Sequence, residues 1–525
     1  MPPWLTPLPD AETMRGVDRW AIEEQGIAGL ELMERAGAAV ARSVETLAPD
    51  GPVAVLCGKG NNGGDGLVVA RLLREAGREV SVICTSPPGE YRGDAAASLG
   101  RLAGESPLRL DGSPWDQAEG TGAADPLSGR AVLVDALLGT GAKGAPSGET
   151  AVAIEALART GAPVVSVDVP SGVDGSDGTV PGVAVAATRT ISMHAGKPGL
   201  WIHPGKQHAG TVEVADIGIP RGAPMACPTG LIEAAVLERL PRREAASTKF
   251  SSGHVLVAGG SRGLSGAPAM AARAAMRAGA GYVTALVPRG LQAIIAAGGV
   301  PELMTVGLAE ADGSLEEQAL AAALSAAERG GVLALGPGLG RSDGAGRFAR
   351  RIARECPLAL VLDADGLNAH AGRLAELAGR GAPSILTPHA GELGRLLGRD
   401  SSEIAARRLD SVREAARLSG ALVVLKGDDT LVAEPGGRVA VSRGASPALA
   451  TAGTGDVLTG VIAALLAGGL DPFTAAAAGV LIHARAGQLA ALALGGAEGV
   501  IAGDVIDALP RARRPGADPW SADGR

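Results

Sequence analysis

The feature that most restricts this chain is a repeated pattern: an apolar run, a turn of glycines and polar residues, then a segment of helical periodicity. Its first clear instance is PVAVLC (52–57), GKGNNGGDG (58–66) and LVVARLLREAG. Strands that are apolar on both faces and separated by helices belong in a parallel sheet covered on two sides. Further strands are predicted at 79–84, 131–138, 163–169 and 188–193, after a helix from about Asp10 to Glu24 and another through ELMERAGAAVARSVETL. The alternation fades after GTVEVADIGIP (210–220) and resumes at GHVLVAGG (253–260). Strands follow at 282–288, 331–336, 358–363, 384–388 and 421–427, then helices near 454–468 and 472–493. The fold class is therefore α/β, with two three-layer αβα domains. They are expected at 1–220 and 249–510, with a connector at 221–248 and a disordered tail at 511–525.

Composition narrows the function classes. A length of 525 residues fits two or three domains, and 46 % hydrophobic with 20 % charged residues is the balance of a soluble globular protein. No uninterrupted apolar stretch is expected to span a membrane, and MPPWLTPLPDAETM has no leader pattern, so a cytoplasmic protein without a membrane partner is expected. Cys57, Cys84, Cys227 and Cys356 are far apart, which argues against disulfides and structural zinc. A net charge of −8 and 2 % aromatics argue against a nucleic-acid partner. The chain uses arginine for most of its cations. Its few lysines, above all Lys143 and Lys426, stand beside glycine, where a compact ammonium can approach a phosphate or a main-chain oxygen.

In open α/β sheets ligands bind at the carboxyl ends of the strands, and the polar motifs cluster there. In the first half these are GKGNNGGDG, Asp135 before LLGTGAKGA (137–145), and Asp168 in VDVPSG with Ser171 close behind. Asn62, Asp65, Asp135, Asp168 and Ser171 would gather on one rim, an oxygen-rich set suited to a hard cation or a proton-transfer base. In the second half ATAGTGDVLTG (450–460) opens a helix with Asp456 in its first turn. Such a turn can hold a nucleotide phosphate on free N–H groups while the carboxylate activates a hydroxyl. GPGLG (336–340), DADGLN (363–368), LTPHAGE (386–392) and LKGDDT (425–430) stand around it. Glycine amides, Lys426 and a metal held mainly by the phosphates could offset the charge of phosphoryl transfer. His389 is either a substrate contact or a turn residue.

The residues also carry a resemblance. GHVLVAGGSRGLSGAPAMAARAAMRAGAG (253–281), GPGLG, DADGLN, LTPHAGE, LKGDDT and ATAGTGDVLTG, in that order, resemble the NAD(P)H-hydrate dehydratase branch of the ribokinase-like fold. LMERAG (32–37), GKGNNGGDGLVVARLL, DALLGTG and VDVPSG resemble a Rossmann-like NAD(P)H-hydrate epimerase domain. The resemblance covers nearly the whole chain. It implies a bifunctional enzyme that epimerises the R and S hydrates of NADH and NADPH (NADHX and NADPHX) and dehydrates the S form with ADP or ATP, Mg2+ and K+. By motif, Asp456 is implied as the catalytic base and Asp168 as a proton-transfer group. Asn61, Asn62, Gly63, Gly64, Asp65, Gly139, Thr140, Gly141, Ala142, Lys143, Gly144, Ala145 and Asp168 are implied to hold the hydrate in the first half. K+ is implied at Asn62, Asp135 and Ser171. In the second half Ala267, Gly338, His389 and Asp456 are implied to line the hydrate site, and Lys426, Gly427, Asp428, Asp429, Thr430 and Gly455 to contact the nucleotide. A homo-oligomer is implied as well. The chain departs from the pattern at GASPAL (444–449), where Ser446 replaces the usual Asn before Pro447. The competing reading is a vitamin-precursor kinase of the same fold with an N-terminal binding module.

Overall fold

The buried apolar strands assemble into two compact units, Pro7–Thr229 and Met1–Thr6 with Gly230–Arg525. The computed structural model describes residues 1–110, 125–298 and 300–515.

In the unit Pro7–Thr229 six parallel strands form one sheet, in the order Val80–Cys84, Val53–Cys57, Val132–Ala136, Val164–Val167, Arg189–Met193 and Thr211–Ala215. Alternate residues of one strand serve opposite faces. Val53, Val55 and Cys57 pack with Val40, Leu67 and Val69, whereas Ala54 and Leu56 pack with Ile154 and Leu157. Both faces are thus covered, as period-two alternation in a buried strand requires. Chain order reverses between Val53–Cys57 and Val132–Ala136, which leaves a crevice beyond their carboxyl ends. Asp10 starts the first helix, Ala11–Glu23, its side chain accepting from Thr13 N at 2.8 Å.

The second unit holds an eleven-stranded sheet. Its parallel part runs Leu422–Leu425, Ser384–Leu386, Ala359–Leu362, Val332–Leu335, His254–Ala258, Tyr282–Pro288 and Met304–Leu308. The order reverses between His254–Ala258 and Val332–Leu335. Leu431–Ala433 and Val439–Val441 extend the sheet antiparallel, and Thr229–Ile232 and Leu5–Pro7 complete it.

Several elements differ from the sequence expectations. The segment 221–248 is more than a connector, because it contains the strand Thr229–Ile232 and a 3-10 helix at Ala234–Arg239. The expected tail begins inside a helix, Ala502–Ala512, which accommodates Pro510 in its last turns; residues 516–525 lie outside the described residues. The helix Pro472–Leu494 is long and apolar enough by length and composition to cross a membrane, which the sequence reading did not expect. Most of its apolar window is buried inside the unit, against the core of Val461, Ile462 and Leu465.

Candidate functional site

In the first unit a cavity of about 490 Å3 opens at the reversal point. The strand Val53–Cys57 delivers Gly58 to a tight turn, and the helix Asn61–Glu75 starts without a side-chain cap, leaving its first N–H groups to the cavity. Asn61, Asn62, Asp65, Gly139, Thr140, Gly141, Ala142 and Asp168 line this cavity. Gly63 and Gly64 lie beneath, where a methyl on Gly63 would fall on the carbonyl of Gly58 and one on Gly64 would meet the Met33 thioether at 2.6–2.7 Å. Lys143, Gly144 and Ala145 are exposed and follow directly on Ala142, outside the lining of the cavity. The loop turns outward after Ala142.

Asp168 is the centre of this site. Its backbone is left-handed, with φ 66°. Oδ1 accepts from Lys197 Nζ at 2.5 Å and from Met193 N at 3.2 Å, and Oδ2 accepts from the Thr140 hydroxyl and amide. Burial works to raise its pKa. The Lys197 charge and these hydrogen bonds outweigh burial, and the carboxyl stays below its ordinary range. Lys197, which sequence reasoning ranked below Lys143 and Lys426, is 1 % exposed and also donates to Ser192 Oγ and Met193 O. Asp18 and Asp65 share the cavity, and burial together with the neighbouring Asp168 charge pushes both carboxyls up. Asp18 carried no motif by which sequence could have found it.

Below the rim Asp135 is fully buried and accepts from Ser166 Oγ (2.8 Å), Ser171 Oγ (2.5 Å), Ser171 N (2.9 Å) and Leu137 N (3.3 Å). Asn62 donates to Leu138 O at 2.9 Å, and Leu138 N donates to Ser171 Oγ at 2.9 Å. All these partners of Asp135 are neutral, and burial pushes its carboxyl up. Asn62, Asp135 and Ser171 are thus brought together below the rim.

In the second unit a cavity of about 470 Å3 is lined by Lys426, Gly427, Asp428, Thr430, Thr454 and Gly455, and on its apolar side by Pro447, Leu449, Leu458, Val480, His483 and Ala484. Thr430 Oγ1 donates to Gly427 O at 2.7 Å, and Asp428 Oδ1 accepts from Ala445 N at 3.0 Å, closing the loop over the cavity. Asp429 turns away from it: 1 % exposed, it pairs with Arg408 at 2.8 Å and braces the loop instead of lining the cavity as expected. Ser446 accepts from Ala448 N at 3.3 Å and caps the short turn Pro447–Leu449, so the hydroxyl makes the turn bond of the usual amide.

Asp456 sits in the first turn of the helix Thr454–Ala467. Burial and the nearby Asp363 charge raise its pKa to about 7, with Lys426 pulling the other way. Lys426 Nζ donates to Asp363 Oδ1 at 2.9 Å and lies 3.7 Å from Glu392. Asp363, 1 % exposed, also accepts from Thr387 (2.8 Å) and Thr459 (2.8 Å). Two threonine hydroxyls thus orient the carboxylate that holds the ammonium. His389 caps the helix Ala390–Leu397 through a capping box with Glu392, its Nδ1 accepting from Gly391 N at 3.0 Å. That is the turn role, while half of the side chain stays exposed. Gly338 has φ 61°, a methyl there would meet Ala267 Cβ at 3.0 Å, and Ser261 Oγ donates to its carbonyl at 2.9 Å. These two lie at the second reversal point.

A sequence model of the family described as NAD(P)H-hydrate dehydratase matches residues 255–511, and one described as YjeF-related protein N-terminus matches residues 29–199. The bifunctional NAD(P)H-hydrate repair enzyme Nnr of Moorella thermoacetica is 41 % identical over 511 residues, covering 95 % of this chain and 95 % of that protein. Its counterpart in Salinibacter ruber is 42 % identical over 531 residues, covering 97 % and 96 %. Among solved structures, an ADP/ATP-dependent NAD(P)H-hydrate dehydratase from Bacillus subtilis, co-crystallised with ATP and Mg2+, is 29 % identical, covers 53 % of this chain and 94 % of its own, and has a TM-score of 0.45.

Proposed function

The chain belongs to the family of bifunctional NAD(P)H-hydrate repair enzymes, and we propose how its two sites divide that work. It epimerises the hydrates of NADH and NADPH and dehydrates the S form with a nucleotide as phosphate donor. The observation that supports the residue assignment is that Asp456 follows Gly455, which lines the second cavity, in the first turn of its helix and lies within electrostatic reach of Lys426.

Asp456 takes the proton from the ring hydroxyl of the bound hydrate, and the freed oxygen attacks the terminal phosphorus of the nucleotide. The bond from that phosphorus to the leaving nucleotide breaks, giving AMP when the donor is ADP, the donor implied by the resemblance. Lys426 and the amides at the start of Thr454–Ala467 offset the charge that develops. Phosphate then departs with the carbon–oxygen bond pair while the adjacent carbon loses a proton, which restores the ring double bond. Lys426, Gly427, Asp428, Thr430 and Gly455 hold the nucleotide, and Ala267, Gly338 and His389 hold the hydrate. Bound Mg2+ would offset charge on the nucleotide phosphates.

In the first unit Asp168, kept ionised by Lys197, removes the proton of the ring hydroxyl. The carbon–nitrogen bond opens to a carbonyl as the nitrogen takes up a proton, and reclosure on the other face inverts the centre. Asn61, Asn62, Asp65, Gly139, Thr140, Gly141 and Ala142 orient the hydrate. K+ would be held by Asn62, Asp135 and Ser171, where it supplies the positive charge that the neutral partners of Asp135 do not. A cytoplasmic homo-oligomer is the assembly that the resemblance supports.

The test follows NADH absorbance on a mixed R/S hydrate with Mg2+ and ADP or ATP. Full recovery by the wild type and none by Asp456→Asn supports the assignment. Recovery that slows once the S form is consumed, in Asp168→Ala, supports the epimerase site. A folded wild type that recovers no NADH with either nucleotide overturns the reading.

A further inference from the structure

The helix Ala11–Glu23 forms one wall of the first cavity, and the spacing of its residues decides what that wall presents. Ala11, Met14, Asp18 and Ile22 recur every three or four positions and line the cavity, so they share one face of the helix. Val17 and Ala21, both 0 % exposed, pack into the core with Val40 and Val44 and fix that rotation. Asp18 is the acid on the face so presented, and among the described residues its carboxyl accepts no hydrogen bond. The other charged groups lining the cavity are Arg15 on the same helix, Asp65, Asp94, Asp168 and Lys197.

Opening of the hydrate ring needs two proton transfers, and Asp168 serves only one. As the hydroxyl proton leaves and the carbon–nitrogen bond breaks, the bond pair passes to the ring nitrogen, which then needs a proton. Asp168 is held ionised by Lys197 and its hydrogen bonds, so it has none to give. Burial raises Asp18, and the Asp168 charge adds to the rise against the pull of Lys197. Two carboxyls pushed apart by their surroundings are suited to opposite roles, one as base and one as acid. Asp65 is a weaker candidate. Burial pushes it well above its ordinary range, and Lys197 relieves it less than Asp168 burdens it, so it holds its proton too firmly. At Asp18 the order is reversed, and the Lys197 ammonium steadies the carboxylate left after donation. We propose that Asp18 is the acid of the epimerase, protonating the ring nitrogen as the carbon–nitrogen bond opens. When the nitrogen closes on the other face of the carbonyl, its proton returns to Asp18 and Asp168 returns a proton to the oxygen. Both carboxyls end as they began. The inference rests on the reading of this cavity as the epimerase site.

Interconversion of the separated R and S hydrates of NADH by the full chain, followed by chromatography without nucleotide, isolates this step from dehydration. Asp18→Asn keeps the shape of the side chain and loses its proton, so kcat should fall by about 100-fold or more while KM stays within a few-fold. An acid works protonated, so the wild-type rate should decline as pH rises through the raised Asp18 range. Asp18→Asn should lose that declining limb, Asp18→Glu should restore part of both kcat and the limb, and Asp65→Asn should keep it. A raised KM at unchanged kcat in Asp18→Asn would make the residue a binding contact and overturn the proposal. So would a limb that disappears in Asp65→Asn and persists in Asp18→Asn. No interconversion by the wild type above the uncatalysed rate would instead overturn the epimerase reading of the cavity, an outcome separate from a wild type that works and an Asp18→Asn that works equally well.

Discussion

Lys197 Nζ lies 2.5 Å from Asp168 Oδ1 with its own side chain 1 % exposed, so the ammonium is compensated by that carboxylate in place of water. Removal of one member of a buried pair leaves the other charge stranded, a loss of about 3–5 kcal/mol. Lys197→Met should therefore lower the melting temperature and raise the Asp168 pKa. Conversion of the R hydrate should fall while dehydration of pure S hydrate continues. Differential scanning calorimetry alongside NADH recovery from each isomer checks this; R-hydrate conversion at the wild-type rate would remove Lys197 from the mechanism.

Asp456 carries a raised pKa of about 7, mainly from burial and then from the Asp363 charge. As a base it works deprotonated, so the dehydration rate should climb with pH through about 7 and level off above it. Stability has the opposite sign. The folded state keeps the proton to higher pH than the unfolded chain, so this group's contribution is fully present below about pH 4 and is lost as pH rises through about 7. Asp456→Asn should thus lose dehydration by about 100-fold or more. Above neutrality it should melt no lower than the wild type, and a lower melting point there would contradict the burial argument.

Gly63 tests how closely the loop GKGNNGGDG is folded on itself. A Cβ at this position falls on the Gly58 carbonyl, so Gly63→Ala has to displace the turn that opens the helix Asn61–Glu75. Epimerisation should drop steeply, while NADH recovery from pure S hydrate is retained. Assays on the two separate isomers measure both arms.

Ser446 Oγ holds Ala448 N and shapes the turn against the second cavity. Ser446→Ala should weaken ADP binding severalfold, in line with a turn or cap bond of about 1 kcal/mol. Ser446→Asn should match or exceed the wild type. Titration of the three proteins decides, and an unchanged affinity in Ser446→Ala would detach this turn from nucleotide binding.

Long buried strands and the glycine turns after them were legible because their pattern is local. The strand Tyr282–Pro288 and the Asp10 cap needed no tertiary information. Short or peripheral strands were not: Leu5–Pro7, Leu431–Ala433 and Val439–Val441 span three residues each, too few for a period to show. Met304–Leu308 is half-exposed at the sheet's edge and lacks the continuous apolar run of its neighbours. Within the sites, Asp428 and Asp429 look alike in LKGDDT, and only Arg408, brought over from another helix, sends one inward. Lys197 was hidden in the same way, since HAGKPG reads as a solvated turn until Asp168 folds over it. His483 is marked in sequence only as a polar residue within an apolar helix.

The left-handed backbone at Asp168 also limits which descendants this chain can have. At φ 66° only glycine and the short polar pair Asp and Asn are accommodated with ease. Glutamate has the same charge, but it is excluded twice, by the strain of its longer side chain at that backbone and by the extra carbon between carboxylate and Lys197. Drift at this position therefore has one near neighbour that keeps the backbone, Asn, and that neighbour abolishes the charge and turns one of the two acceptor oxygens into a donor facing Thr140 or Met193. A lineage that loses the acid at 168 also strands the buried Lys197 charge, so the two positions are bound to change together.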